Sequence, residues 1–166
     1  MVFATPSTQK QCNGRVYTST VFYPDLHCPN GLYATMEYLK STVMVIESDE
    51  RYRSMYRQVI AEELKAKYRE AVSPPQAMAY LQKHELPDLI ILNTHLPEVD
   101  GLTTVNMLRR ASYLSTIKII VTSHTSDEAL VTLFAERGID EYLLKPFDAE
   151  TLKLKVERLL STPRPS

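Results

Sequence analysis

Neither sign of charge prevails in this chain: 19 lysines and arginines stand against 20 aspartates and glutamates in 166 residues. Without a basic excess nothing drives it toward a phosphate backbone, which argues against a dedicated nucleic-acid module. No apolar run reaches the roughly 18 residues of a membrane span, and Met1–Lys10 lacks the basic start and apolar stretch of a signal peptide. Cysteine is scarce: Cys12 and Cys28 are too few for a disulfide scaffold. The sequence has no Gly-rich phosphate loop, no Gly-x-Ser-x-Gly elbow and no His-Glu-x-x-His. These absences make a cytoplasmic protein without enzymatic activity the expectation. What is present is ordinary globular usage, 44% hydrophobic and 23% charged, which excludes a disordered chain, a collagen or a coiled-coil rod. The length suits one domain with some extra chain.

Composition changes near residue 41. Residues 1–41 collect Pro6, Pro24, Pro29, Gly14, Gly31 and both cysteines, and show no sustained period. They read as a partly ordered extension, with a strand over Arg15–Phe22 and a short helix over Tyr33–Lys40 as local candidates. Over residues 42–160 the pattern becomes five units of strand then helix. The apolar runs Val43–Ile46, Leu89–Leu92, Ile117–Val121 and Tyr142–Leu144 are nearly continuous, as strands buried on both faces should be. Tyr68–Val72 is weaker. Helical spacing links Tyr52, Met55, Tyr56, Val59 and Ile60, read as a core stripe, then Leu130, Leu133 and Phe134, then Leu152, Val156, Leu159 and Leu160. Pro74 and Pro75 can open a helix, Gly138 can close one and Asp148 can cap the last. The predicted fold is α/β: a doubly wound, five-stranded parallel sheet of order 2-1-3-4-5, with helices on both faces. Residues 161–166, rich in proline and serine, read as a tail or linker.

In such sheets ligands bind at the carboxyl ends of the strands, where strand order reverses. The first run is followed by Glu47, Ser48, Asp49 and Glu50. The third is followed by Asn93, Thr94 and His95, the fourth by Thr122, Ser123 and His124, and the fifth by Lys145. An acid, an amide, a hydroxyl and a lysine are therefore predicted to share one crevice.

These residues also carry a family resemblance. The stretch Asp88-Leu-Ile-Ile-Leu-Asn93-Thr-His-Leu-Pro97-Glu-Val-Asp100-Gly101 resembles the part of a response-regulator receiver domain that bears the phosphorylated aspartate. Lys118-Ile-Ile-Val-Thr-Ser123-His resembles the strand ending in its switch hydroxyl, and Gly138-Ile-Asp-Glu-Tyr142-Leu-Leu-Lys145-Pro146-Phe147 its Lys-Pro signature. The order and spacing agree. Two positions depart from the pattern. Asn93 stands where the family has its aspartate, and Glu47 and Ser48 align with its pair of adjacent acids. Sliding the register by one would bring Asp49 to the second acid position, but Arg53 would then leave the basic position of the first helix.

The resemblance implies a degenerate receiver. An uncharged amide is a very poor nucleophile, so Asn93 is not expected to form an acyl phosphate. Magnesium requires charged oxygen ligands. Here Glu47 and Lys145 cancel while Ser48 and Asn93 are neutral, so a polar cluster without metal or cofactor is expected, with Lys145 paired to Glu47 or bonded to the Asn93 carbonyl. Asp49 could restore one ligand. The switch pair is present as Ser123 and Tyr142. Without a chemical trigger, a partner with differential affinity must set its state. The resemblance places that partner on the face formed by 126–137, 141–144 and 148–160, as another protein or a second copy. No nucleic acid or membrane is expected there.

Other readings stay open. The empty crevice could serve a small-ligand or metal sensor, with His95 or His124 joining Glu47 or Asp49. Cys12, His27 and Cys28 are scattered zinc-ligand types. The chain could also be the regulatory part of a longer protein, or residues 1–41 could be the functional graft.

Overall fold

In the computed structural model of this protein, residues 9–12 and 15–18 are described as backbone and residues 41–162 in full. Gln9–Cys12 and Arg15–Thr18 form an antiparallel pair, a unit by itself. The strand expected over Arg15–Phe22 is thus seen for its first four residues. The candidate helix over Tyr33–Lys40, the side chains of Cys12, His27 and Cys28, and residues 163–166 lie outside the described residues.

The second unit alternates strand and helix. In chain order it contains β1 (Thr42–Ile46), α1 (Glu50–Arg57), β2 (Lys67–Ala71), α2 (Pro74–Leu81), β3 (Leu89–Asn93), α3 (Gly101–Arg110), β4 (Lys118–Ser123), α4 (Glu128–Glu136), β5 (Glu141–Leu144) and α5 (Ala149–Ser161). All five strands are parallel, in the order β2-β1-β3-β4-β5. Alternation across the pleat divides the core in two. Val43, Val45, Leu89, Ile91 and Leu143 meet Tyr56, Val59 and Ile60 and, from α5, Leu152, Val156 and Leu159. Met44, Ile46, Ile90, Leu92, Ile119 and Val121 meet Ala77, Leu81, Val105, Leu108 and Phe134 from α2, α3 and α4. Each such large side chain contributes about 1.5–3 kcal/mol by leaving water.

Three details differ from the sequence pattern. β2 shows only Ala71 buried, because it is an edge strand with little cover, and its run is correspondingly weak. β4 extends through Thr122 and Ser123, so the switch hydroxyl sits inside the strand rather than after it. After Arg57 the first helix continues as a π-helix over Gln58–Glu63. Wider i→i+5 bonding of this kind leaves no distinct mark on apolar spacing.

β1 and β3 are neighbours, and the chain leaves β1 toward β2 on one side and β3 toward β4 on the other. Glu47 directly follows β1 and Asn93 ends β3. Both therefore stand at the point where the strand order reverses.

Candidate functional site

The crevice is built on a buried ion pair. The Lys145 Nζ lies 2.6 Å from Glu47 Oε2, and each side chain is only 1% exposed. The two charges come from opposite ends of the chain, one after β1 and one after β5. Burial this deep costs several kcal/mol per ion and is tolerable only when every polar atom finds a partner. Glu47 Oε1 accepts from the side-chain amide of Asn93 at 2.8 Å and from the backbone N–H of Asp49 at 3.0 Å. The Lys145 backbone N–H donates to the Ser123 carbonyl at 2.7 Å. The ring of Tyr52 covers the ammonium, with Nζ 3.7 Å from its centroid, a favourable cation–π placement.

Asn93 is buried at the end of β3. Its Nδ2 also donates to the His95 carbonyl at 3.1 Å, and its Oδ1 accepts the His95 backbone N–H at 3.3 Å. Thr94 lies between this clamp and Ser123. Its hydroxyl donates to Ser123 Oγ at 2.9 Å and shares a 2.9 Å hydrogen bond with His95 Nδ1. The fully buried Ser123 Oγ also accepts the Thr125 N–H at 3.2 Å. The Tyr142 hydroxyl donates to the Thr125 carbonyl at 2.8 Å, with its ring 6.0 Å from that of Phe134. One unbroken set of hydrogen bonds thus runs from Glu47 to β5.

The remaining expected site residues lie at the rim. Ser48 is exposed, and its carbonyl accepts from Arg53 at 2.7 Å. Arg53 also holds the Glu47 carbonyl at 2.9 Å and pairs with Glu50. Asp49 does not turn inward. It caps α1, accepts the Arg51 N–H and pairs with the Arg51 guanidinium at 2.8 Å. Hydrogen bonds from that side chain and backbone hold its carboxyl down at about 2. His124 is exposed and meets Tyr52 edge-on at 6.1 Å. Among the described residues, no three His, Cys, Asp or Glu side chains come together as a metal-binding group.

Tyr52 packs against the core as its stripe implies, but it has a second role that spacing did not show. It sits in phase with Met55, Tyr56 and Val59, and Tyr56 and Val59 are indeed fully buried. Tyr52, however, is half-buried and closes the crevice, packing 5.9 Å from Phe147. Burial raises its hydroxyl pKa, helped by the charges of Glu47 and Asp49, so it stays protonated at neutral pH. Its place in the first turn of α1, directly after the Glu47 loop, was the available signal. Thr94 was visible in sequence only as a residue following a strand.

A family model for the response regulator receiver domain matches residues 43–157. The chain belongs to the response-regulator receiver family. Of curated relatives, this receiver is 31% identical to the sensor histidine kinase TmoS of Ectopseudomonas mendocina over 120 residues, 72% of this chain and 12% of that protein. It is 36% identical to the transcriptional regulatory protein CseB of Streptomyces coelicolor over 74 residues, 45% of this chain and 30% of that protein. The chain spans less than two-thirds of the length of curated relatives that it matches, from 12% to 57% of them. Among solved structures, it resembles the receiver domain of a signal transduction histidine kinase from Syntrophus aciditrophicus (TM-score 0.66, 27% identity, 73% of this chain, 90% of that one). It also shares its fold with the chemotaxis response regulator CheY4 of Vibrio cholerae (TM-score 0.67, 22% identity, 72% of this chain, 98% of that one).

Receivers of this family imply a divalent cation, and the donor set here does not fit one. Among the described residues, the one carboxylate that reaches into the crevice is that of Glu47. One of its oxygens is held by an ammonium, the other by two N–H groups. A hard cation needs at least one carboxylate oxygen free to coordinate it, with carbonyls and waters completing its shell, and both oxygens of this one are already engaged.

Proposed function

We propose that this receiver works in two-component signalling without being phosphorylated, as a cytoplasmic protein-interaction module with no catalytic activity of its own. The observation that carries the reading is Asn93. A carboxamide stands at the end of β3 with its nitrogen turned toward Glu47. It offers no ionised oxygen to attack phosphorus, and the acid beside it, Glu47, is already neutralised by Lys145.

The state of the switch is then a matter of differential binding. Ser123 and Tyr142 are joined through Thr125, so a protein that grips Tyr142 or α4 acts on the crevice through those bonds. The surface assigned to such a partner is the face of α4, β5 and α5. Leu144 and Leu154 support this, being large apolar side chains left 44% and 57% exposed. A second copy of the chain and another protein are both compatible with that face.

The test is chemical. Incubating the protein with acetyl phosphate and magnesium and weighing it intact should show no added mass. A stable phospho-adduct mapping to the crevice would end this reading.

A further inference from the structure

Asn93 does more than withhold a nucleophile. Its NH2 group has two hydrogens, and they find two oxygens: Glu47 Oε1 at 2.8 Å and the His95 carbonyl at 3.1 Å. The same carboxamide accepts the His95 N–H at 3.3 Å, so it grips both backbone groups of that residue. A carboxylate oxygen and a loop carbonyl drawn toward one centre are hard-cation ligand types. Here a neutral N–H donor group occupies that centre, and the Lys145 ammonium supplies the positive charge on the other side of Glu47.

We propose that the Asn93 carboxamide is an internal substitute for a cation. With Lys145 it ties the acid of β1 to the loop after β3 and so holds the hydroxyls of Thr94 and Ser123, and through Thr125 the Tyr142 side chain, in one arrangement that needs no metal. The inference rests on the phosphorylation-independent reading above and gives it a mechanism: the lock replaces what binding a cation would do for the loop. Asn93 acts here as a positioning residue. The geometry makes the donor count decisive. An aspartate at this position would present one and the same oxygen to Glu47 Oε1 across 2.8 Å and to the His95 carbonyl across 3.1 Å, with no hydrogen toward either. That arrangement is repulsive until a cation or proton enters. An alanine would leave both oxygens short of a donor but add no charge.

The full chain and its Asn93→Asp and Asn93→Ala variants should be melted in EDTA and in millimolar magnesium. Amide hydrogen exchange over His95 and Ser123–Thr125 should be followed in parallel. The wild type is expected to melt at the same temperature in both media. Asn93→Asp is expected to melt roughly 5 °C or more lower in EDTA and to recover in magnesium. Asn93→Ala is expected to melt lower in both. Each variant in EDTA should exchange several-fold faster at Ser123–Thr125, which a purely local defect would not produce. If Asn93→Asp fails to fold, Asn93→Ala carries the exchange test. A wild-type midpoint raised by magnesium would overturn the proposal. So would variants that melt and exchange like the wild type, and that result would leave the phosphorylation-independent reading standing.

Discussion

Lys145 and Glu47 form a deeply buried ion pair. Both are inside, and removing one leaves the other as a buried, unbalanced charge, which costs about 3–5 kcal/mol. Lys145→Met should therefore lower the unfolding free energy by about that much in urea titration. Lys145→Met with Glu47→Gln should cost much less than the two single changes added, because each alone strands a charge and together they strand none. Additive losses would mean the pair is not coupled as its 2.6 Å separation implies. Tyr52→Ala tests the cover. It removes the cation–π contact and admits water to the ammonium, and should cost about 1–2 kcal/mol while leaving the fold intact. At this scale the sequence showed that Glu47, Asn93, Ser123 and Lys145 would meet, since each follows or ends an apolar run, but Ser48 and Asp49 follow one too and stay at the rim. It did not show that the Asn93 amide would clamp His95, because that depends on a backbone turn only two residues long. Nor did it separate Tyr52 from its stripe, because helical spacing places a residue on a face without saying how far along the core that face extends.

Helix α3 shows how an element end serves the site. Asp100 caps it, accepting the Thr103 N–H at 2.9 Å and the Thr103 hydroxyl at 2.8 Å. Those bonds hold its carboxyl below the ordinary 3.8. The folded pKa is depressed, so the stabilisation is complete above the unfolded value and fades as pH falls through the folded one. Asp100→Asn should thus remove part of the acid-side loss of stability below about pH 4, and Asp100→Ala should cost about 1 kcal/mol at neutral pH. Gly101 follows. A Cβ there would come within 2.7 Å of the Thr94 Cα and 3.1 Å of the Asn93 carbonyl oxygen. Gly→Ala in a helix normally gains close to 1 kcal/mol; Gly101→Ala should instead destabilise, since the obstacle is backbone. The closeness of α3 to the Asn93 loop was not legible in the sequence, being a tertiary approach. The central strands β1, β3 and β4 were legible because burial on both faces makes them continuously apolar. The edge strand β2 was faint for the converse reason, and the π-helical turn left no pattern to read.

For the molecule as a whole, the fold retains the parts of a receiver while the crevice is already satisfied from within. The two faces of the sheet bury separate clusters, and Glu47, Asn93, Ser123 and Lys145 meet at their common end. The exposed Leu144 and Leu154 are expected to matter for binding rather than folding. Leu144→Ser and Leu154→Ser should leave stability within about 0.5 kcal/mol, as surface changes usually do, and should abolish the association that the α4, β5 and α5 face is proposed to mediate, read as loss of complex in analytical ultracentrifugation. Closure of this crevice to phosphoryl chemistry can be read out by adding beryllofluoride and magnesium to the isotopically labelled protein and following its amide spectrum. No saturable shifts are expected at Glu47, Asn93–His95, Ser123 and Lys145. A saturable response at those amides, propagating to Tyr142, would contradict that closure.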